Sequence, residues 1–281
     1  MMTDTDQNIS FTKMQATGND FVVIDNRSAQ LSKEEIIELT PRICDRNFGV
    51  GSDGILALLP PEKQEVDYTM FFRNPDGSDA GMCGNGARCI ALFAHSLGYD
   101  SNHRFNVHNE VYQAEILSQN KVLISFPMEP TAEEVKVDDR PCYAIHTGTE
   151  HLVTTVDDEE MLENENLLRK QGAMLRYHEL FQPKGTNANF IFGIDESHLK
   201  LQTYERGVED LTLACGTGVI ASALIWHHLQ KPHNSDAYKF NIETKGGSLN
   251  VYFSFNTKKQ TYFNIKLEGP VHFVFKGEYP C

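Results

Sequence analysis

Residues 74–98 read NPDGSDAGMCGNGARCIALFAHSLG, and they set a turn, a thiol, a run of small residues and an apolar segment in immediate succession. Pro75 fixes φ, Asp76 forms a local side-chain turn, and Gly77 is free to take positive φ. Beyond Cys83, Gly84-Asn85-Gly86 opens a segment in which apolar and small residues cover nearly every face from Ala87 to Leu97, ending at a Gly98 suited to C′. An α-helix apolar on all sides is a buried helix. A cysteine at its N-terminus sees the positive end of the helix dipole and free backbone N–H groups, which favour thiolate over thiol. The competing reading of Cys83 is a buried structural thiol in a tight turn.

A second copy of this arrangement lies downstream. Ala214-Cys215-Gly216-Thr217-Gly218 is again a thiol followed by Gly-x-Gly and an apolar run, Val219 to Trp226. Upstream, Gly18-Asn19-Asp20-Phe21-Val22-Val23-Ile24-Asp25 pairs by pattern with 186–195, TNANFIFGID. A repeat this long predicts two homologous domains related by a pseudo-twofold, with two thiol-bearing helix N-termini facing one ligand across an interdomain cleft.

The motifs FTKMQATGNDFVVID, MCGNGARC, TNANF, YERG and ACGTG occur in that order over nearly the whole chain. Together they resemble the diaminopimelate epimerase family of cofactor-independent, two-cysteine amino-acid racemases. The resemblance implies an isomerase that epimerises LL- to meso-2,6-diaminopimelate in lysine and peptidoglycan precursor synthesis, without cofactor or metal. It implies Cys83 and Cys215 as catalytic thiols. The N–H groups of Gly84, Asn85, Gly216 and Thr217 are then aimed at the substrate α-carboxylate. Asn19, Asn74 and Asn187 are the substrate-binding amides, Arg206 the clamp for a distal carboxylate, Glu205 the partner of a substrate ammonium, and His151 a supporting group near the thiols. Cys89 reads as core, while Cys44, Cys142 and Cys281 carry no signal. Three departures from the family pattern stand out: Gly148-Thr149-Glu150-His151 in place of Gly-Asn-Pro-His, Gly54 in place of glutamine, and the longer Val208–Thr212 stretch. They bear on the distal end of the pocket and leave the thiols untouched.

The remaining sequence bounds these readings. A chain of 281 residues is long enough for two cores, and its net charge of −14 argues against a nucleic-acid or anionic-membrane surface. No apolar run approaches membrane-spanning length and no leader pattern is present, so the cytoplasm is the expected location. The expected partner is a small molecule, with a homodimer as the assembly to test. Gly49-Val-Gly-Ser-Asp-Gly54 spells a dinucleotide fingerprint, but it follows a helix opened by the Ser32/Glu35 capping box and precedes the strand Ile55–Leu59. That order is the reverse of the one that places pyrophosphate on a helix N-terminus, and nucleotide binding is rejected. Many short strands with one buried helix per half predict an α+β fold of two pseudo-symmetric domains. Each is a curved, mostly antiparallel, barrel-like sheet wrapped around a central helix. Pro127-Met-Glu-Pro130 and the acidic residues 131–140 read as the linker. The domains are 1–127 and 128–269, and the family resemblance returns the last strand, residues 270–281, to the first. An acidic helix is expected from Asp157 to Lys170. Other readings remain open here: a two-thiol racemase of another amino acid, a carboxylate-based isomerase, or a redox or metal-binding cysteine protein.

Overall fold

The computed structural model describes residues 8–230 and 237–280, and the chain divides into two units, Met1–Ile124 with Pro270–Cys281, and Ser125–Gly269. In the first unit the chain runs β1 (Asn8–Ala16), β2 (Asn19–Asp25), α1 (Asn26–Ala29), α2 (Lys33–Cys44), β3 (Ile55–Leu59), β4 (Tyr68–Arg73), α3 (Gly84–Ser96), β5 (Asn102–Val107) and β6 (Glu110–Ser118). A further strand, β7 (Lys121–Phe126), leads into the unit boundary. The second unit runs β8 (Glu133–Val137), β9 (Arg140–His146), β10 (Glu150–Thr155), α4 (Glu160–Glu163), α5 (Glu165–Arg176), β11 (Asn187–Gly193), β12 (His198–Glu205), β13 (Asp210–Thr212), α6 (Gly216–Leu229), β14 (Tyr238–Thr244), β15 (Gly247–Asn256) and β16 (Thr261–Pro270). The last strand, β17 (His272–Pro280), pairs antiparallel with β1 in the first unit.

Both units have the α+β construction, mostly antiparallel with few helices. In each, one helix buried on nearly every face is enclosed by strands. Every residue from Gly84 to Ala94 of α3 is buried, and α3 packs on β1, β2, β3, β4 and β6. In α6 the buried set is Gly216–Ile225 and His227, against β9, β10, β11, β12, β14 and β15. Such helices have no face to give to water, so the sheet must curve around them. The capping box of α2 is present, with Ser32 accepting from Glu35 N–H and the Glu35 carboxylate accepting from Ser32 N–H. A turn of glycines after α2 connects it to β3. There Gly49 leaves no room for a side chain, because a Cβ would lie 2.2 Å from the Arg42 carbonyl oxygen. The fingerprint-like run is therefore a packed helix-to-strand connector.

Strand pairing fixes the internal repeat and corrects its register. β1 to β6 pair in the sequence antiparallel, parallel, antiparallel, parallel, antiparallel. The series β9, β10, β11, β12, β14, β15 repeats it, with β12 to β14 as the second parallel step. The buried helix precedes the second parallel partner both times. The equivalent of β2 is thus β10, and that of β3 is β11, so the expected match of residues 18–25 with 186–195 is one strand out of step. Both segments are apolar strands opened by asparagine, which composition alone cannot separate.

Two local expectations also change. The acidic stretch 131–140 is a hairpin rather than a linker: Val135 and Val137 alternate with charged residues along β8 and contribute to the second unit's core. Asp138 and Asp139 turn it at φ of 47° and 64°, a conformation aspartate tolerates better than most residues. The single helix expected over 157–170 is instead α4 and α5, broken at Asn164, whose side chain accepts from Leu167 N–H and caps α5. Leu168, Gly172 and Leu175 turn one face of α5 inward.

Candidate active site

In the first unit, Cys83 is the N-cap of α3, with extended backbone and its sulfur accepting from Gly86 N–H at 3.4 Å. The cysteine thus takes the role usually filled by serine or aspartate, and the helix N-terminus favours negative charge on it. Asn19 opens β2 after a turn in which Thr17 and Gly18 have positive φ, and its Oδ1 lies 3.8 Å from Cys83 Sγ. The orientation of that amide is fixed from behind. Asp53 Oδ2 accepts from Asn19 Nδ2 at 2.7 Å and from Asp20 N–H at 3.1 Å, while Asp53 N–H donates to Asp20 O at 2.8 Å. A carboxylate only accepts, so Asn19 must turn its NH₂ to Asp53 and its carbonyl to the sulfur. Arg46 bridges Asp53 and Asp20 at 2.6 and 2.7 Å. Burial opposes charge on Asp20, but hydrogen bonds from Arg46 and Lys13 outweigh it and hold the carboxyl below its ordinary range.

Asn85, the second residue of α3, is buried, and its Oδ1 accepts from Thr17 Oγ1 at 3.1 Å and from Arg88 Nη2 at 2.7 Å. Arg88 is wholly buried and also donates to Gly84 O at 3.1 Å. Burial pulls its guanidinium down to about 10, which leaves it charged at neutral pH directly beneath the helix N-terminus. Cys89 is buried in the same helix and its thiol is pushed well up by burial, as suits a core residue. Asn74 lies in a turn, with Nδ2 donating to Ser78 Oγ at 3.1 Å.

In the second unit, Cys215 is the buried N-cap of α6, and its Sγ lies 3.5 Å from Thr217 Oγ1. That hydroxyl is 2.9 Å from Nε2 of His151, which also lies 3.0 Å from Thr149 Oγ1. On the far side of the ring, Nδ1 is 3.1 Å from Asn189 Nδ2. Asn189 Nδ2 also donates to the Leu152 carbonyl at 3.0 Å, so it is the NH₂ end, and His151 Nδ1 must accept. Burial drives the His151 ring down to about 3. It is therefore neutral near pH 7 with its proton on Nε2, facing the two threonine hydroxyls. Thr217 Oγ1 thus stands between that N–H and the Cys215 sulfur. Gly218 makes this packing feasible, since a Cβ there would lie 2.6 Å from Asn189 Oδ1.

Arg206 and Asn187 form a second group in the same unit. Asn187 is buried and fully engaged: Nδ2 donates to Thr149 Oγ1 at 3.2 Å and Glu150 O at 2.9 Å, while Oδ1 accepts from Arg206 N–H at 2.8 Å. It ties the start of β10 to the end of β12, where Glu205 is the last strand residue. The Arg206 guanidinium donates from Nη1 to Glu150 Oε2 and to Lys184 O, each at 3.2 Å. Burial opposes charge on Glu150, but the Lys184 hydrogen bond and the Arg206 charge hold its carboxyl below the ordinary range.

Around Cys83 the structure gathers Asn19, Gly84 and Asn85; around Cys215 it gathers Gly216, Thr217 and His151. Asn187, Glu205 and Arg206 cluster at the strand ends of the second unit. Asp53, Arg88, Asn189 and Glu150 carry these groups and were not singled out as site residues from sequence. Two of them had a readable signal: an arginine inside the apolar run of α3, and a second asparagine two residues after Asn187, hence on the same face of its strand. Cys44, Cys83, Cys89, Cys142 and Cys215 form no disulfide among the described residues, and Cys281 lies outside them.

A profile of diaminopimelate epimerases matches residues 11–132 and 143–274. The chain belongs to the diaminopimelate epimerase family. Relatives named diaminopimelate epimerase include one from Flavobacterium psychrophilum, 36% identical over 94% of this chain and 97% of that protein. Another, from Aquifex aeolicus, is 38% identical over 96% of this chain and 97% of its own length. Solved structures share the fold at low identity. A Bacillus anthracis phenazine biosynthesis protein of the PhzF family superposes with a TM-score of 0.74 at 12% identity, covering 98% of this chain and all of that one. A hydroxyproline epimerase from Agrobacterium vitis gives 0.68 at 11% identity, covering 97% and 91%. No helix among the described residues is long and apolar enough to cross a membrane.

Proposed function

We propose that this member of the diaminopimelate epimerase family interconverts LL- and meso-2,6-diaminopimelate by a two-base mechanism at Cys83 and Cys215, in the cytoplasm, for lysine and peptidoglycan precursor synthesis. The observation that carries the reading is a cysteine at the N-cap of the buried helix of each unit, in a chain alike over nearly its full length to proteins of that name. Inverting a carbon centre requires removing a weakly acidic proton from one face and delivering one to the other, and two thiols on opposite faces accomplish both. The thiolate takes the α-proton, the electron pair spreads into the α-carboxylate, and the opposite S–H donates its proton to Cα. The backbone N–H groups of Gly84, Asn85, Gly216 and Thr217 serve as donors to that carboxylate.

The two sulfurs have different neighbours, each able to serve both protonation states. Cys83 faces the carbonyl of Asn19, an acceptor for its S–H, and Gly86 N–H, a donor that serves it as thiolate. Cys215 faces the Thr217 hydroxyl, a group able to donate to a thiolate and to accept from an S–H. For substrate of the opposite handedness the protonation states are reversed. The α-ammonium is assigned to Glu205, the distal head to Arg206 and Asn74, and a supporting role to Asn187 and His151. The test is incubation of purified protein with LL-diaminopimelate in heavy water, with chiral separation and deuterium counting at Cα. Formation of the meso isomer with one solvent deuteron at the inverted centre, without added cofactor, is the expected result. Absence of inversion under reducing conditions refutes the proposal.

A further inference from the structure

We infer that Glu150 is a specificity-determining residue, binding the ammonium of the substrate's distal amino-acid head while Arg206 binds its carboxylate. The inference rests on the diaminopimelate reading of the site. Glu150 opens β10 at a position set by Asn187, which donates to its backbone carbonyl. Its two carboxylate oxygens are committed differently. Oε2 is held by Arg206 Nη1 at 3.2 Å, in a pair whose side chains are 28% and 31% exposed, so both are reachable but partly shielded from water. Oε1 accepts from Lys184 Nζ at 3.1 Å, and the Lys184 side chain is 73% exposed. An ion pair to so exposed a side chain contributes little and is readily exchanged for another ammonium.

Arg206 uses Nη1 for both Glu150 and the Lys184 carbonyl. Its Nε and Nη2 have no hydrogen-bond partner among the described residues, and that edge of the fork matches a carboxylate in bidentate geometry. A donor edge therefore adjoins a carboxylate oxygen that already receives an ammonium. A carbon bearing both a carboxylate and an ammonium satisfies the two together. A bare distal carboxylate on Arg206 would lie against Glu150 with no cation between them, and like charges so placed disfavour binding. A site built around a polar substrate group rejects the analogue that lacks it.

The experiment compares wild-type protein with Glu150→Gln on two substrates: diaminopimelate, and 2-aminopimelate, which has the same chain length and terminal carboxylates but no distal ammonium. Glutamine keeps a carbonyl oxygen for Arg206, so the arginine stays in place while the charge is lost. For wild type, kcat/KM should favour diaminopimelate. In Glu150→Gln the preference ratio should fall by about tenfold or more, chiefly through a higher KM for diaminopimelate. An equal loss on both substrates, or an unaltered ratio, would show that Glu150 only braces Arg206 and would overturn the inference while leaving the epimerase reading intact. Wild-type protein inert towards diaminopimelate would overturn the substrate reading and this role with it.

Discussion

Substituting Gly218 by alanine sets two effects of known size against each other. Helix propensity favours alanine over glycine by about 1 kcal/mol in a helix interior, and Gly218 lies in α6 without positive φ, so an alanine is sterically permitted by the backbone. Against this, the added Cβ falls 2.6 Å from Asn189 Oδ1, and 3.3 Å from both Cys215 Cβ and Thr203 Oγ1. The amide oxygen must retreat by about 0.8 Å to reach ordinary contact. It has little freedom to do so, because Oδ1 accepts from Thr203 Oγ1 at 2.9 Å while Nδ2 serves both Leu152 O and His151 Nδ1. Each buried bond lost there costs about 1–3 kcal/mol. With two of these bonds disturbed, about 2–6 kcal/mol stands against the ~1 kcal/mol gained, so the clash wins and Gly218→Ala should destabilise the second unit by roughly 1–5 kcal/mol. It should also lower epimerisation at least about tenfold, by loosening the amide that orients His151. Urea unfolding followed by fluorescence of the chain's single tryptophan, Trp226 of α6, reads the first effect, and chiral analysis reads the second. Gly86→Ala is the control from the first unit. There the nearest atoms are Leu56 Cδ2 at 3.2 Å and Met70 Cε at 3.3 Å, the ends of flexible side chains that can yield. Gly218→Ala protein as stable and as active as wild type would refute the argument that this glycine is required by the His151 shell.

Cys83→Ala and Cys215→Ala should each abolish epimerisation without unfolding the protein, since acid and base act as a unit; more than about a tenth of wild-type activity in either single mutant is incompatible with the two-base assignment. Arg206→Ala should impair diaminopimelate turnover in kcat as well as KM, whereas Thr149→Asn should change it only modestly, by about the 0.5–1.5 kcal/mol of one hydrogen bond; steady-state kinetics on both variants decides. Acid should weaken the second unit before carboxylates titrate. Burial lowers His151 to about 3 and His227 to about 4, so between those values and the ordinary histidine range the unfolded chain binds more protons than the folded one. Stability then falls as pH drops below about 6.5, by up to about 1.4 kcal/mol per pH unit for each histidine. Urea midpoints from Trp226 fluorescence that stayed level between pH 7 and 5 would contradict this.

The parts of the fold legible in sequence are those whose signal is local. An apolar-all-round segment can only be a buried helix, and both α3 and α6 were readable for that reason, as was the capping box of Ser32 and Glu35. Tertiary choices were less legible. Val135 and Val137 alternate as a strand should, but the surrounding acids mask a period of two over so short a run. Asn164 is equally at home as a helix residue or as the cap that starts a new one, and only the inward face of α5 decides. The repeat was visible as a recurrence of Cys-Gly-x-Gly, while its strand register needed the order of parallel and antiparallel pairs.

That register changes how the two thiol environments compare. With β2 equivalent to β10, the start of one strand carries Asn19 and the start of the other carries Glu150 and His151, rather than Asn187. The frame around each sulfur is duplicated: a helix N-cap, a following Gly-x-Gly, and a side chain from the opening of the strand that precedes a parallel partner. What is mounted on the frame has diverged. One copy presents an amide carbonyl locked by Asp53; the other presents a neutral imidazole locked by Asn189, with the Thr217 hydroxyl between it and the sulfur. The supporting residues diverge where the motifs themselves recur in both halves. The difference lies in residues such as Asp53 and Asn189, outside the cysteine motifs, which is why motifs centred on cysteine could reveal the pair but not what differs between its members.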